Sequence, residues 1–145
     1  MIQRIQTLYL LGVLVVFGLM FFVPIAKELP RYQGNSLILI TGTDKVVFFI
    51  QLLIPVFSIM TLYMKGVFKS QINFCTAGIF YSLFAFFLVR KYIHIFDFQP
   101  DAVSGYVEET KWGLYLLLIY PILFFLAARA IKKDEQRVRA ADRLR

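Results

Sequence analysis

The chain has 145 residues, 59% hydrophobic and only 17% charged, yet Lys and Arg outnumber Asp and Glu by 16 to 9 for a formal charge of +7. A water-soluble domain of this size carries about 25% charged residues, so this balance argues against a soluble enzyme and against a disordered basic tail. A single cysteine excludes an internal disulfide and any multi-cysteine metal site.

Charges divide the chain. Uncharged runs cover residues 5–26, 46–64, 70–89 and 112–128. At 1.5 Å per helical residue, about 20 residues cross the ~30 Å hydrocarbon layer. Backbone groups in lipid must be satisfied within the segment, and no run alternates as a barrel strand would. The expectation is therefore an all-α membrane protein, a four-helix transmembrane domain over residues 1–128 followed by a basic helical tail over 129–145. In the first run, Pro24 stands where a signal peptidase needs a small residue before Ala26. The run also exceeds the usual ~7–15 residue apolar core of a signal peptide, so it reads as an uncleaved helix.

Between the first and second runs, Leu37 to Thr41 is β-branched and bounded by Gly34-Asn35 and Gly42. Between the third and fourth, Tyr92 to Phe98 is aromatic and stopped by Pro100. Both read as strands able to pair as a small sheet above the membrane; the alternative is that either dips into the interface as an amphipathic segment.

Four spans place both termini on one side with Arg4, Lys65, Lys69 and the tail, and that side sums to +7. The opposite side, with Lys27, Glu28, Arg31, Asp44, Lys45, Arg90, Lys91, Asp97, Asp101, Glu108, Glu109 and Lys111, sums to zero. The positive-inside rule then predicts cytoplasmic termini.

No ionisable side chain other than tyrosine or cysteine lies within a run, which argues against a proton-coupled pump. Gln51 is either a contact to a substrate or quinone, or a hydrogen-bonding link between helices. Pro55 and Pro121 should kink the second and fourth helices, either opening a cavity or letting the bundle fit together. With Tyr81 these residues form the candidate intramembrane pocket or packing set. Phe21, Phe22, Phe84, Phe86 and Phe87 read as lipid-facing or packing residues. His94, the only histidine, and Asp97 would face opposite sides of a strand, which weakens a metal or acid–base reading. Cys75 reads as an inert small residue. No phosphate loop, nucleophile elbow or zinc motif is present, so neither enzymatic activity nor a cofactor is expected.

The tail has neither Gly nor Pro and should continue the fourth helix. Glu135–Arg139 and Asp134–Arg137 are helical ion-pair spacings, and Ile131, Val138, Ala141 and Leu144 leave a narrow apolar stripe. Lys132, Lys133, Arg137, Arg139, Arg143 and Arg145 are candidates for docking on anionic lipid or a protein; the alternative is a topology anchor with solvated charges. Nucleic acid is not expected, because no aromatic platform is interleaved with the charges.

The opening Met1 to Leu11 and the closing Arg129 to Glu135, with Val138-Arg139 and Ala141 to Arg145, resemble an uncharacterised family of four-span membrane proteins. It is the domain-of-unknown-function family 4293, seen in Bacteroidota. The turn Phe68 to Ile72 is similar to its basic Arg/Lys-x-Gln connection, with fewer charges here. The resemblance implies a bacterial inner-membrane protein and carries over no catalytic residues. The function expected is a non-enzymatic accessory subunit or scaffold, with membrane lipids and other membrane subunits as partners. The alternative is a small lipid- or quinone-binding or permeation protein.

Overall fold

The computed structural model describes residues 3–29, 38–40, 45–64, 67–97, 106–110 and 112–142. Helix α1 (Gln3–Leu19) leads to strand β1 (Ala26–Leu29), then β2 (Ile38–Ile40) and helix α2 (Lys45–Tyr63). Helix α3 (Phe68–Asp97) precedes β3 (Tyr106–Thr110), a short helix α4 (Trp112–Leu116) and the long α5 (Ile119–Asp142). Helix α1 lies beside α2 and α5, and α3 also lies beside α2 and α5, so the four long helices close a ring.

Among the described residues, three segments, Lys45–Tyr63, Phe68–Ile93 and Trp112–Ala141, are long and apolar enough to cross a membrane. The first run behaves differently from its expected span. Its helix stops at Leu19, and turns with hydrogen bonds such as Phe21 N to Gly18 O (3.3 Å) and Phe22 N to Leu19 O (3.0 Å) unwind it toward Pro24. Pro disfavours helix in the residue before it, and Ala26, expected within the span, belongs to β1. At 17 residues, α1 is about 25 Å long.

The second expected strand is also displaced. Residues 92–97 are helical, because α3 runs on through Arg90 and Lys91 to Asp97. Nothing in 68–97 breaks a helix as proline would, and two basic residues do not end one; Phe98 lies outside the described residues. Residues 94 and 97 thus belong to a helix and not to a strand. The strand of this connection is β3, Tyr106–Thr110. It pairs antiparallel with β1, which also pairs antiparallel with β2, in the order β2-β1-β3. Ala26 stands opposite Ile40 on one side and Thr110 on the other, and the register with β3 shifts between Lys27 and Glu28.

Pro55 sits inside α2. Pro121 lies at the start of α5, not in mid-helix. Its missing N–H would have bonded Leu117, and its ring crowds that carbonyl. The break falls there: Leu117 N bonds Leu114 O (3.2 Å) and Leu118 N bonds Tyr115 O (3.0 Å), a tighter turn separating α4 from α5. Beyond it, α5 continues without interruption through the basic segment to Asp142.

The core consists of Leu10, Val13, Ile54, Leu117, Tyr120 and Phe124 with their neighbours. A few polar side chains lie inside, and large apolar ones cover the outside. Gln51, Ser58, Thr61, Gln71 and Ser82 are buried, while Phe49, Phe80, Phe87, Ile122 and Phe125 are exposed. Phe22 is exposed to 84%. Such a continuous apolar exterior is incompatible with water and suited to hydrocarbon.

Candidate functional site

Polar side chains join the helices at two levels. Ser58 on α2 donates its hydroxyl to Leu10 O on α1 at 2.8 Å, in a fully buried contact. The Tyr81 hydroxyl on α3 donates to Ile50 O on α2 at 2.6 Å. Interhelical hydrogen bonds of this kind contribute about 0.6 kcal/mol each on average. The second anchors α3 just before Gln51, whose carbonyl would have accepted the amide hydrogen that Pro55 lacks.

Of the four candidate pocket residues, Gln51 and Pro55 are buried one turn apart on α2. Tyr81 is half-buried beside them, with its ring 5.8 Å from that of Phe57. Pro121 on α5 is half-buried like Tyr81, and its neighbour Tyr120 is fully buried. Phe124 lies one turn from Tyr120 and against Gly78, which puts Tyr120 level with Ser82, next to Tyr81. A layer of Gln51, Ser82 and Tyr120 thus crosses the bundle at one depth. Among the described residues, Gln51 Nε2 and the Tyr120 hydroxyl have no hydrogen-bond partner. Ile54, Leu117 and Phe124 are fully buried members of the same core.

A second polar group lies near the end that carries the chain termini. Gln71 on α3 donates its Nε2 to Thr61 O at 3.4 Å, and the Thr61 hydroxyl donates to Phe57 O at 2.8 Å. Gln6 Oε1 and Gln71 Oε1 are buried without partners among the described residues. Both line a cavity of about 20 Å³ with Thr61, Leu10 and Ile131, which is room for one water donating to both oxygens. Both glutamines fall in the stretches that carry the family resemblance, Gln6 in the opening segment and Gln71 in the Arg/Lys-x-Gln turn, but the sequence does not reveal that they meet.

The basic tail residues divide. Lys132, Lys133, Arg137 and Arg139 are all exposed. Arg139 pairs with Glu135, and Arg137 lies 4.0 Å from Asp134. Arg143 and Arg145 lie outside the described residues. Lys133 and Arg137 come together with Arg129 along a groove of about 350 Å³ between α5 and α1, walled by Ile5, Tyr9 and Leu126. The expected apolar stripe is shorter than its spacing suggested. Ile131 is fully buried in the core and Asp134 is buried beside the groove, whereas Val138 is exposed. The first two turns of the tail are therefore part of the bundle.

An apolar exterior and, among the described residues, three helices of spanning length define the class: a helical membrane protein. The family described as Domain of unknown function (DUF4293) matches residues 2–144, nearly the whole chain, and the chain belongs to that family. No curated protein and no solved structure matches it.

Proposed function

We propose that the protein is a non-enzymatic accessory subunit or scaffold of a bacterial inner membrane. It crosses the membrane four times, with both termini and the basic helix in the cytoplasm. In this reading α1 completes the fourth crossing, its short helix extended by the turns at Met20 to Val23 and by local thinning of the bilayer. The charge asymmetry supports the orientation.

The observation that carries the scaffold reading is an extensive apolar outer surface around a buried core. Tyr120, Phe124, Ile54 and Leu117 are fully buried there, while phenylalanines of α2, α3 and α5 point outward. An outward apolar surface suits lipid and partner helices alike, and the end of α5 adds exposed charge for docking. The rival reading, a lipid- or quinone-binding protein, draws support from the unpartnered Gln51 Nε2 and Tyr120 hydroxyl.

Truncation tests the docking role. Because Ile131 and Asp134 are buried, the deletion should begin after Gln136 and spare the bundle. Crosslinking in the native membrane followed by copurification should then show loss of at least one partner, or weaker attachment of the α5 end to anionic lipid. Retention of every partner and of the lipid attachment would refute docking by this segment.

A further inference from the structure

We infer that the groove between α1 and the start of the basic helix binds an anionic phospholipid, its phosphate held by Arg129 and Lys133 and an acyl chain lying along Tyr9 and Leu126. The inference rests on the membrane reading above and assigns a ligand to one part of the α5 docking surface.

Arg129, Lys133 and Arg137 are spaced four residues apart on one continuous helix. Such residues follow one another on one face, about 5–6 Å apart between Cβ atoms. All three line the same groove of about 350 Å³. Its opposite wall is Ile5 and Tyr9, again four apart, on α1. Leu126 continues the groove into the uncharged part of α5, so cations stand at one end and apolar side chains at the other. A free phosphate would need only the first end, and an apolar molecule only the second. An anionic phospholipid matches both.

Asp134, the fourth charged member of the lining, is turned toward Arg137 at 4.0 Å. It offsets that guanidinium, and among the described residues Arg129 and Lys133 have no acidic partner of their own within the groove. Arg139 is engaged by Glu135 and does not line the groove, and neither does Lys132. The charge is thus directed toward one seam of the bundle and not spread evenly round the helix. Basic pockets between membrane helices at the headgroup level are the places where anionic headgroups bind.

The experiment uses the full chain, extracted from membranes in mild detergent and titrated with phosphatidylglycerol or phosphatidylethanolamine. Native mass spectrometry counts the retained lipid. The wild type should prefer phosphatidylglycerol. The double variant Arg129→Gln/Lys133→Gln should lose roughly 30-fold in apparent affinity for it. The control Lys132→Gln/Arg139→Gln removes the same charge elsewhere on the helix and should keep the preference. Leu126→Trp fills the groove without changing charge and should displace the lipid. Equal loss in both double variants, or a Leu126→Trp variant that binds like the wild type, would overturn the proposal in favour of diffuse tail electrostatics. Competition by millimolar inorganic phosphate as strong as that by lipid would overturn it in favour of a bare phosphate site. A chain recovered from cells without detergent would defeat the membrane reading itself, whereas an extracted protein with no anionic preference defeats only the groove.

Discussion

Replacing Gly113 by alanine is expected to destabilise the bundle by about 2 kcal/mol, although alanine is the better helix former. A Cβ at Gly113 would lie 2.5 Å from Pro24 O and 2.8 Å from Pro24 C. Both are backbone atoms, and the proline ring limits how the chain there can retreat. The same carbonyl accepts the Gly113 N–H at 3.2 Å. That amide lies in the first turn of α4, where it has no partner within the helix. Alanine would gain up to about 1 kcal/mol of helix propensity. Against this stand about 1–3 kcal/mol for overpacking and about 0.5–1.5 kcal/mol for the disturbed hydrogen bond. The clash wins. Pro24 leads directly into β1, so the variant should also loosen the sheet. Thermal unfolding in detergent measures the first effect and hydrogen exchange of the β1 amides the second. A variant as stable as the wild type would show that Pro24 and α4 are not in contact.

Gly78→Val should cost a similar amount, about 1–3 kcal/mol, for a different reason. A Cβ there meets two ring carbons of Phe124 at 2.9 Å. The end of an aromatic side chain can often move aside, but Phe124 is fully buried, and close-packed interiors resist such shifts. Combining Gly78→Val with Phe124→Leu should recover part of the loss, giving a coupling that a double-mutant cycle reads directly. Gly18→Ala is the matched control. Nothing lies within 4 Å of its added Cβ, so it should be neutral or slightly stabilising. Additive effects of Gly78→Val and Phe124→Leu would place α3 and α5 farther apart than described.

Helices were legible wherever charge was absent, because lipid and backbone chemistry leave few alternatives for an apolar run. Their ends were not. Taking Arg90 and Lys91 as a boundary shortened α3, since a helix ends when its backbone is interrupted and not when it meets a charge. The converse holds at α1: Ile25 and Ala26 are apolar, yet the helix ends at Leu19 and Pro24 leads the chain into the sheet. Strand β3 was missed because Tyr106 to Thr110 is acidic and short, and its extended form depends on β1 as a partner from the other connection. Buried Gln6 and Gln71 and the lining of the basic groove share that dependence. Each needs two helices distant in sequence, and a single chain's periodicity contains no register between α1, α3 and α5. The positive charge of the tail could be read directly. Its division into a groove-lining pair at Arg129 and Lys133 and an outward face at Lys132 could not.

The central claim is a four-span protein with both termini on the cytoplasmic side, and α1, at 17 residues, is its most exposed point. Cysteine labelling tests it most directly, in a Cys75→Ala background that removes the native thiol. Single cysteines at Gln3→Cys, Gly34→Cys, Ser104→Cys and Gln136→Cys would be treated with a membrane-impermeant reagent on spheroplasts and again on inverted vesicles. The account predicts labelling of positions 34 and 104 only from outside and of positions 3 and 136 only from the cytoplasmic face. Labelling of positions 3 and 34 from the same face would contradict it, reducing α1 to a helix that lies along the bundle without crossing.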